Sequence, residues 1–152
     1  MRLVLCLSFP LLYAALSYTD VEYTGLEALY NATNGHQWTA SGGWRDSTLG
    51  VCNWYGVTCD DKSQNVTSLS LSNNNLAGDL SSASELSYMA SLEQLDLSSN
   101  GLYGAVPVVL GLMPALKVLD LSGNELSSFP STWGSGASAL RYLSVQGNKI
   151  SG

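Results

Sequence analysis

Charge is what this chain has least of. Its 152 residues include six Lys plus Arg, twelve Asp plus Glu and one histidine, and the charged share is 12%. That is about half the ~25% usual for soluble domains. No Lys/Arg cluster occurs anywhere, so the electrostatic footprint for nucleic acid or anionic lipid is missing. No nucleic-acid partner is expected. The sequence also lacks a glycine-rich phosphate loop followed by lysine, an H-E-x-x-H pair and a G-x-S-x-G elbow. Its one histidine, His36, has no second base near it in sequence. These absences argue against catalysis within this chain, and no cofactor or metal is expected. Serine, glycine and asparagine supply the polarity, and 45% of residues are hydrophobic, so the chain has the apolar material for a core.

Long apolar runs are equally few. After Arg2, Leu3 to Leu16 (LVLCLSFPLLYAAL) is one run of fourteen residues, short of the ~20 that a membrane helix needs. It ends at Ala15-Leu16-Ser17, small residues at the positions a signal peptidase reads. Residues 1–17 therefore read as a secretory signal peptide, with a short N-terminal anchor as the alternative. Removing them removes Cys6 and leaves Cys52 and Cys59. A zinc site would need more Cys or His ligands than His36 supplies. A thioredoxin-like pair would be spaced C-x-x-C, not C-x6-C. In an oxidising compartment Cys52 and Cys59 are predicted to form a disulfide.

What the second half has in abundance is repetition. VTSLSLSNNNLAG starts at Val66, LEQLDLSSNGLYG at Leu92, LKVLDLSGNELSS at Leu116 and LRYLSVQGNKISG at Leu140. All four fit L-x-x-L-x-L-x-x-N-x-L, with Val66, Val145 and Ile150 replacing leucine. Spacing and residue type match the leucine-rich repeat pattern. The L-x-L alternation predicts a short strand with both apolar side chains on one side. Stacked coils then give a parallel sheet whose leucines face the interior, each contributing about 1.5–3 kcal/mol when fully buried. Asn74, Asn100, Asn124 and Asn148 fall where the chain must turn inside the coil. A side-chain amide supplies both a donor and an acceptor for backbone groups left without strand partners, so these four are expected to form a structural ladder. The return path is expected to be irregular or 3₁₀-like along the convex side. Pro107 and Pro114 forbid a long helix in the second repeat, and the first has room for a helical turn through Leu86 and Met89.

Residues 18–65 do not fit the repeat and are assigned as a terminal cap over the open end of the solenoid. TDVEYTGLEALYNATNG predicts an amphipathic helix capped by Thr19 or Asp20, with Val21, Leu26, Leu29 and Tyr30 inward and Asn34-Gly35 at its end. Gly25 costs about 1 kcal/mol inside a helix. The start is therefore also placed at Thr24, where Thr24 and Glu27 form a capping box. Trp38, Trp44 and Trp54 flank the two cysteines and are read as a mini-core, with an aromatic ligand platform as the alternative.

This order of features carries a family resemblance. A helix, N-x-T-x-G-x-x-W, a second tryptophan, C-x-W-x-G-V-x-C and then V-T-x-L-x-L resembles the plant-type N-terminal cap of extracellular leucine-rich repeat proteins. NGLYGAVP (Asn100 to Pro107) resembles that class's N-x-L-x-G-x-I-P. The likeness covers about residue 20 to the end. It departs at Leu80-Ser81, where an apolar residue and proline are the pattern, at Ser128 in place of glycine, and at Pro130, one residue early. The fold class implied is an α/β leucine-rich repeat solenoid with a helical, disulfide-stapled cap: residues 1–17 signal, 18–65 cap, and 66–152 about three and a half repeats.

By resemblance the function is extracellular recognition of a protein, peptide or glycan. The chain would be the N-terminal part of a receptor-like ectodomain, a small secreted binder or inhibitor of foreign enzymes, or an ectodomain fragment of a receptor kinase. Its location would be secreted or on the outer side of the plasma membrane, with membrane attachment only through a segment beyond this chain. The concave-face candidates are Ser68, Ser70 and Ser72; Gln94, Asp96 and Ser98; Val118, Asp120 and Ser122; and Arg141, Tyr142, Ser144 and Gln146. Tyr142 and Arg141 are the only residues there of the types enriched at binding hot spots. Asp96 and Asp120 occupy the same place in adjacent repeats and are read as framework residues, or else as ligand contacts. Two N-x-T sequons, at Asn31 and Asn65, are glycosylation candidates. Because Gly152 follows directly on the N-x-L-x-G portion of the fourth repeat, continuation into further repeats is expected.

Overall fold

Alternation of leucine with small polar residues makes four of the eight short strands found among the described residues. The computed structural model describes residues 18–46, 48–62, 65–133 and 139–151, so the signal segment expected at 1–17 lies outside the described residues. The strands are β1 (Val57–Cys59), β2 (Val66–Ser70), β3 (Ala77–Asp79) and β4 (Gln94–Asp96), followed by β5 (Gly101–Ala105), β6 (Val118–Asp120), β7 (Glu125–Ser128) and β8 (Tyr142–Ser144). The four L-x-L strands pair in parallel and in register. Ser68, Gln94, Val118 and Tyr142 form one row, and Ser70, Asp96, Asp120 and Ser144 another. β1 adds antiparallel to β2, giving the order β1-β2-β4-β6-β8. Between the two polar rows, Leu69, Leu95 and Leu119 point inward and are fully buried, whereas Leu143 of β8 is 38% exposed.

A second sheet, β3-β5-β7, is also parallel. It occupies the x-L-x-G stretch that sequence reading left to an irregular return, and it is a correction to that expectation. Once the first sheet stacks the coils at a fixed spacing, neighbouring turns run side by side and their backbone groups pair. The irregularity falls where the third repeat departs from the family pattern: β5 and β7 lose register at Gly104/Ala105, with Ser128 as the partner of Ala105. Beyond this sheet the chain returns through 3₁₀ segments at Leu80–Ser82, Ser84–Tyr88 and Val108–Leu112, which bury Leu80, Leu86 and Leu110.

The cap contains the helix α1 (Tyr18–Ala32). It runs through Gly25, so Thr24 lies inside it and not at its start, and no capping box opens the helix there. The reason is packing. A Cβ at Gly25 would sit 2.9 Å from the Glu85 carbonyl oxygen and 3.1 Å from Met89 Cγ. Glycine's lower helix propensity is accepted because α1 lies directly on the Ser84–Tyr88 segment. Leu26 and Leu29 are buried as expected, but Val21 and Tyr30 are only half-buried, and the fourth inward position belongs to Glu22.

Trp38, Trp44 and Trp54 are 7%, 7% and 2% exposed, so they form a core and not an open platform. Trp38 meets Trp44 edge-on at 4.7 Å, Trp44 meets Trp54 at 5.0 Å, and Tyr30 stacks on Trp44 at 5.9 Å. Beside them Cys52 and Cys59 form a disulfide with Cα atoms 5.5 Å apart. Closing so short a loop contributes about 2.5 kcal/mol in the chain-entropy model.

Candidate functional site

The outward side of the five-stranded sheet can present side chains only if the coils beneath it are held still, and the asparagines hold them. Asn100 accepts the N–H groups of Asn74 and Leu76 on Oδ1, each at 3.0 Å. Its amide nitrogen donates to the carbonyls of Leu71, Leu97 and Ser98. Asn124 accepts the Leu102 N–H and donates to the Leu97 and Leu121 carbonyls. Asn148 accepts the Leu126 N–H and donates to the Leu121 and Val145 carbonyls. Each rung thus bonds its own coil and the one before it. The first rung reaches the cap instead: Asn74 Oδ1 accepts the Ala40 N–H at 2.6 Å, and its amide donates to the Ala40 carbonyl at 2.8 Å.

On the outward side the candidates separate into two groups. Asp96 Oδ1 accepts both the N–H and the hydroxyl of Ser98, at 3.0 and 2.7 Å. Asp120 does the same with Ser122, at 2.9 and 2.5 Å. Asp79 with Ser81, and Asp46 with Thr48, repeat the arrangement. The Thr48 hydroxyl and then its amide hold the Asp46 carboxyl below the usual range. One oxygen of each aspartate therefore shapes a turn, after the strand for Asp79, Asp96 and Asp120 and in the cap loop for Asp46, which is framework work. Gln94, Val118 and Tyr142, adjacent in one row, and Ser144 and Gln146 have side chains without a hydrogen bond among the described residues. Tyr142 is 51% exposed.

Arg141 stands apart from that row. It precedes β8, and its N–H bonds the Lys117 carbonyl, so it belongs to the flank where Lys117 pairs with Glu93 at 2.7 Å. Of the remaining candidates, Asn31 is exposed near the end of α1, and Asn65 is half-buried. Asp60 and Asp61, an acidic pair that follows Cys59, lie where the chain turns back toward β2, with the Asp60 N–H bonded to the Asn65 carbonyl. His36 is exposed in the 3₁₀ segment Gly35–Gln37 that follows α1.

Glu22 is the residue that sequence reasoning missed. It is 4% exposed, and its Oε1 accepts the Val66 N–H at 2.7 Å. It thereby joins α1 to the first residue of β2. Its Oε2 is buried and has no hydrogen-bond partner among the described residues. Burial raises its carboxyl above the ordinary range, the Val66 bond pulls it back in part, and Asp60 raises it further. The signal available in sequence was a single acidic residue at an inward position of α1, beside Val21 and one turn before Leu26. A glutamate at such a position reads as solvated unless its partner is known.

The sign of its pH effect follows. With the folded-state value above the unfolded one, the folded chain holds the extra proton across the interval between them. Stability therefore falls as pH rises through that interval. Glu22→Gln cannot titrate, so its melting temperature is expected to be flatter from ~4.3, the ordinary glutamate value, upward. Equal slopes for the two proteins in a pH series of thermal melts would remove this assignment.

Three family models fall on this geometry. The leucine rich repeat N-terminal domain matches residues 22–60, the unit from α1 to β1. Leucine rich repeat models match residues 65–87 and 91–113 and residues 106–150. Among curated proteins the chain is similar to Receptor-like protein 47 of Arabidopsis thaliana, with 34% identity over 72% of this chain and 14% of the relative. It is also similar to the LRR receptor-like serine/threonine-protein kinase FEI 2 of the same plant, with 39% identity over 64% of this chain and 17% of the relative. The chain spans between 7% and 17% of the curated relatives it matches.

Among solved structures, the HAESA ectodomain from Arabidopsis, in complex with an N-terminally extended IDA peptide hormone, superposes with a TM-score of 0.71. It is 28% identical, over 88% of this chain and 22% of that one. The BIR2 ectodomain from Arabidopsis thaliana superposes with a TM-score of 0.72 over 85% of this chain. With 33% identity to that ectodomain, of which it spans 68%, and with the family's models over both its cap and its coils, this chain belongs to the leucine-rich repeat family.

Proposed function

We propose that this chain is an extracellular recognition module that binds a peptide or a protein segment on the outward face of its five-stranded sheet. The observation that carries the reading is the row Gln94, Val118 and Tyr142. A polar amide, an aliphatic group and a large aromatic lie side by side on parallel strands, their side chains free of hydrogen bonds among the described residues and their strands fixed from beneath by the asparagine ladder. Such a row meets an extended partner with one aromatic anchor at the β8 edge and an amide donor and acceptor two strands away. A rigid platform also loses little entropy on binding.

The solved HAESA relative is in complex with a peptide hormone, which supports a peptide as the partner class. The Cys52–Cys59 disulfide supports an oxidising, extracellular location. The similarity to Receptor-like protein 47 supports a receptor-like ectodomain as the setting. Within the repeats the work is binding; nothing in the row supplies a nucleophile with an adjacent base.

The test uses the secreted chain and a random-peptide display library as probe. Peptides selected on the native chain are expected to bind Tyr142→Ala and Val118→Asp at least about tenfold more weakly, as for loss of hot-spot contacts. They are expected to bind Leu112→Ser, on the 3₁₀ side, with unchanged affinity. Selected peptides that ignore both strand variants, or that lose affinity only for Leu112→Ser, refute the reading.

A further inference from the structure

We propose that Asn31 carries an N-linked glycan and that Asn65, the other sequon, does not, so that the α1 flank of the molecule is a sugar-covered surface closed to partners. The inference rests on the extracellular reading above, since only a chain entering a secretory compartment meets the donor. In the step required, the Asn31 side-chain nitrogen attacks the anomeric carbon of a lipid-diphosphate-linked oligosaccharide. A carbon–nitrogen bond forms, the bond from that carbon to the diphosphate oxygen breaks, the amide gives up one proton, and the lipid diphosphate leaves.

Both sequences qualify by pattern, N-A-T at Asn31 and N-V-T at Asn65; the fold separates them. Asn31 lies one residue before the end of α1 and is exposed. Thr24, Glu27, Ala28 and Asn31 fall on one stripe of the helix, and with Ser82 and Glu85 they line an open groove between α1 and the 3₁₀ segments. A glycan leaving Asn31 has free space outward. Glu27 and Glu85 are among the lining residues, and a carboxylate accepts bonds from sugar hydroxyls. None of the strand-face residues Gln94, Val118 and Tyr142 lines it, so a glycan there leaves the proposed binding row open.

Asn65 is placed differently. It is half-buried and lines a narrow cleft with Val21, Glu22, Tyr88, Ala90 and Ser91. It also immediately precedes Val66, whose N–H is held by Glu22. A glycan on Asn65 would have to leave through that cleft, forcing α1 from β2 at the bond that joins them. Sugar on Asn65 is therefore incompatible with this fold, whereas sugar on Asn31 is not.

The experiment expresses the full chain in a secreting eukaryotic host. It compares native protein with Asn31→Gln and Asn65→Gln, and treats each with a peptide amidase that releases N-glycans in heavy-oxygen water. The expected result is secreted, disulfide-bonded protein in which residue 31 becomes an aspartate bearing heavy oxygen. Asn31→Gln should then migrate as the sugar-free chain, and Asn65→Gln as the native one. Disulfide-bonded protein with residue 31 unmodified, or with sugar on Asn65, overturns this proposal while leaving the proposed function standing. Protein with neither disulfide nor sugar overturns the extracellular reading and this inference with it. The Cys52–Cys59 oxidation state thus tells the two failures apart.

Discussion

Asn100→Ala is expected to destabilise the chain by about 3–5 kcal/mol, a large share of its stability. The side chain accepts the N–H groups of Asn74 and Leu76 and donates to three carbonyls. Alanine replaces none of these. Each buried backbone group left without its partner costs about 1–3 kcal/mol. The Leu97 carbonyl keeps a second donor in Asn124, which trims the total. Native domains have only about 5–15 kcal/mol in hand, so a loss of this size is conspicuous in a urea titration. It is also directional, because Asn100 bonds the coil before its own as well as its own turn. The first coil and the cap should therefore lose protection in hydrogen exchange more than β8 does. A cost under about 0.5 kcal/mol, the usual figure for a surface substitution, would show that the ladder does not carry the fold.

The second large effect is expected at Gly56, in the stretch between the disulfide-bonded cysteines. Gly56→Ala should cost about 3–4 kcal/mol. Its φ of +78° strains any residue with a Cβ by about 1–2 kcal/mol. The added Cβ would also lie only 2.3 Å from the Ser70 carbonyl oxygen and 2.9 Å from Leu71 Cδ2, and forcing extra atoms into such a contact costs about 1–3 kcal/mol more. Relief requires β1 to move away from β2, and that breaks the bond from the Ser70 N–H to the Gly56 carbonyl at 2.8 Å. Gly42 is the control. A Cβ there meets nothing within 4 Å, so Gly42→Ala should melt close to the native temperature. Equal melting temperatures for Gly56→Ala and the native chain would mean that the cap is not seated on β2 as described.

How much of this was legible in the sequence depends on the range of the interaction that decides each feature. The repeat was legible because its period is local: L-x-L sets the side of a strand, and the asparagine follows at a fixed offset. The four strands, their inward leucines and the four asparagines stand where that arithmetic puts them. The tryptophan core was legible from crowding, since three large side chains in a small unit have nowhere else to go.

Features decided by a partner distant in sequence were not legible. Gly25 looked like a weak point in a helix until Glu85 and Met89 were placed against it. Glu22 looked like a solvated residue until the Val66 N–H, 44 residues away, was placed beside it. The β3-β5-β7 sheet has no alternation to announce it, since its pairing follows from the stacking of whole coils. The candidate site shows the same division. The outward row could be named from register. That Asp96 and Asp120 are tied to Ser98 and Ser122 in their own turns, and that Arg141 stands on the flank, depended on the geometry of those turns.

The central claim is that the outward face of the five-stranded sheet is where a peptide binds. The most direct measurement is site-specific photo-crosslinking, with a benzophenone amino acid placed in turn at Tyr142, Tyr103 and Leu112. These three positions are 51%, 52% and 55% exposed, so accessibility alone does not separate them. They lie on the five-stranded sheet, on the second sheet and on the 3₁₀ side. With a labelled peptide selected on the native chain, the account predicts a covalent adduct from position 142 and background from 103 and 112. An adduct from 103 or 112 with none from 142 would contradict it.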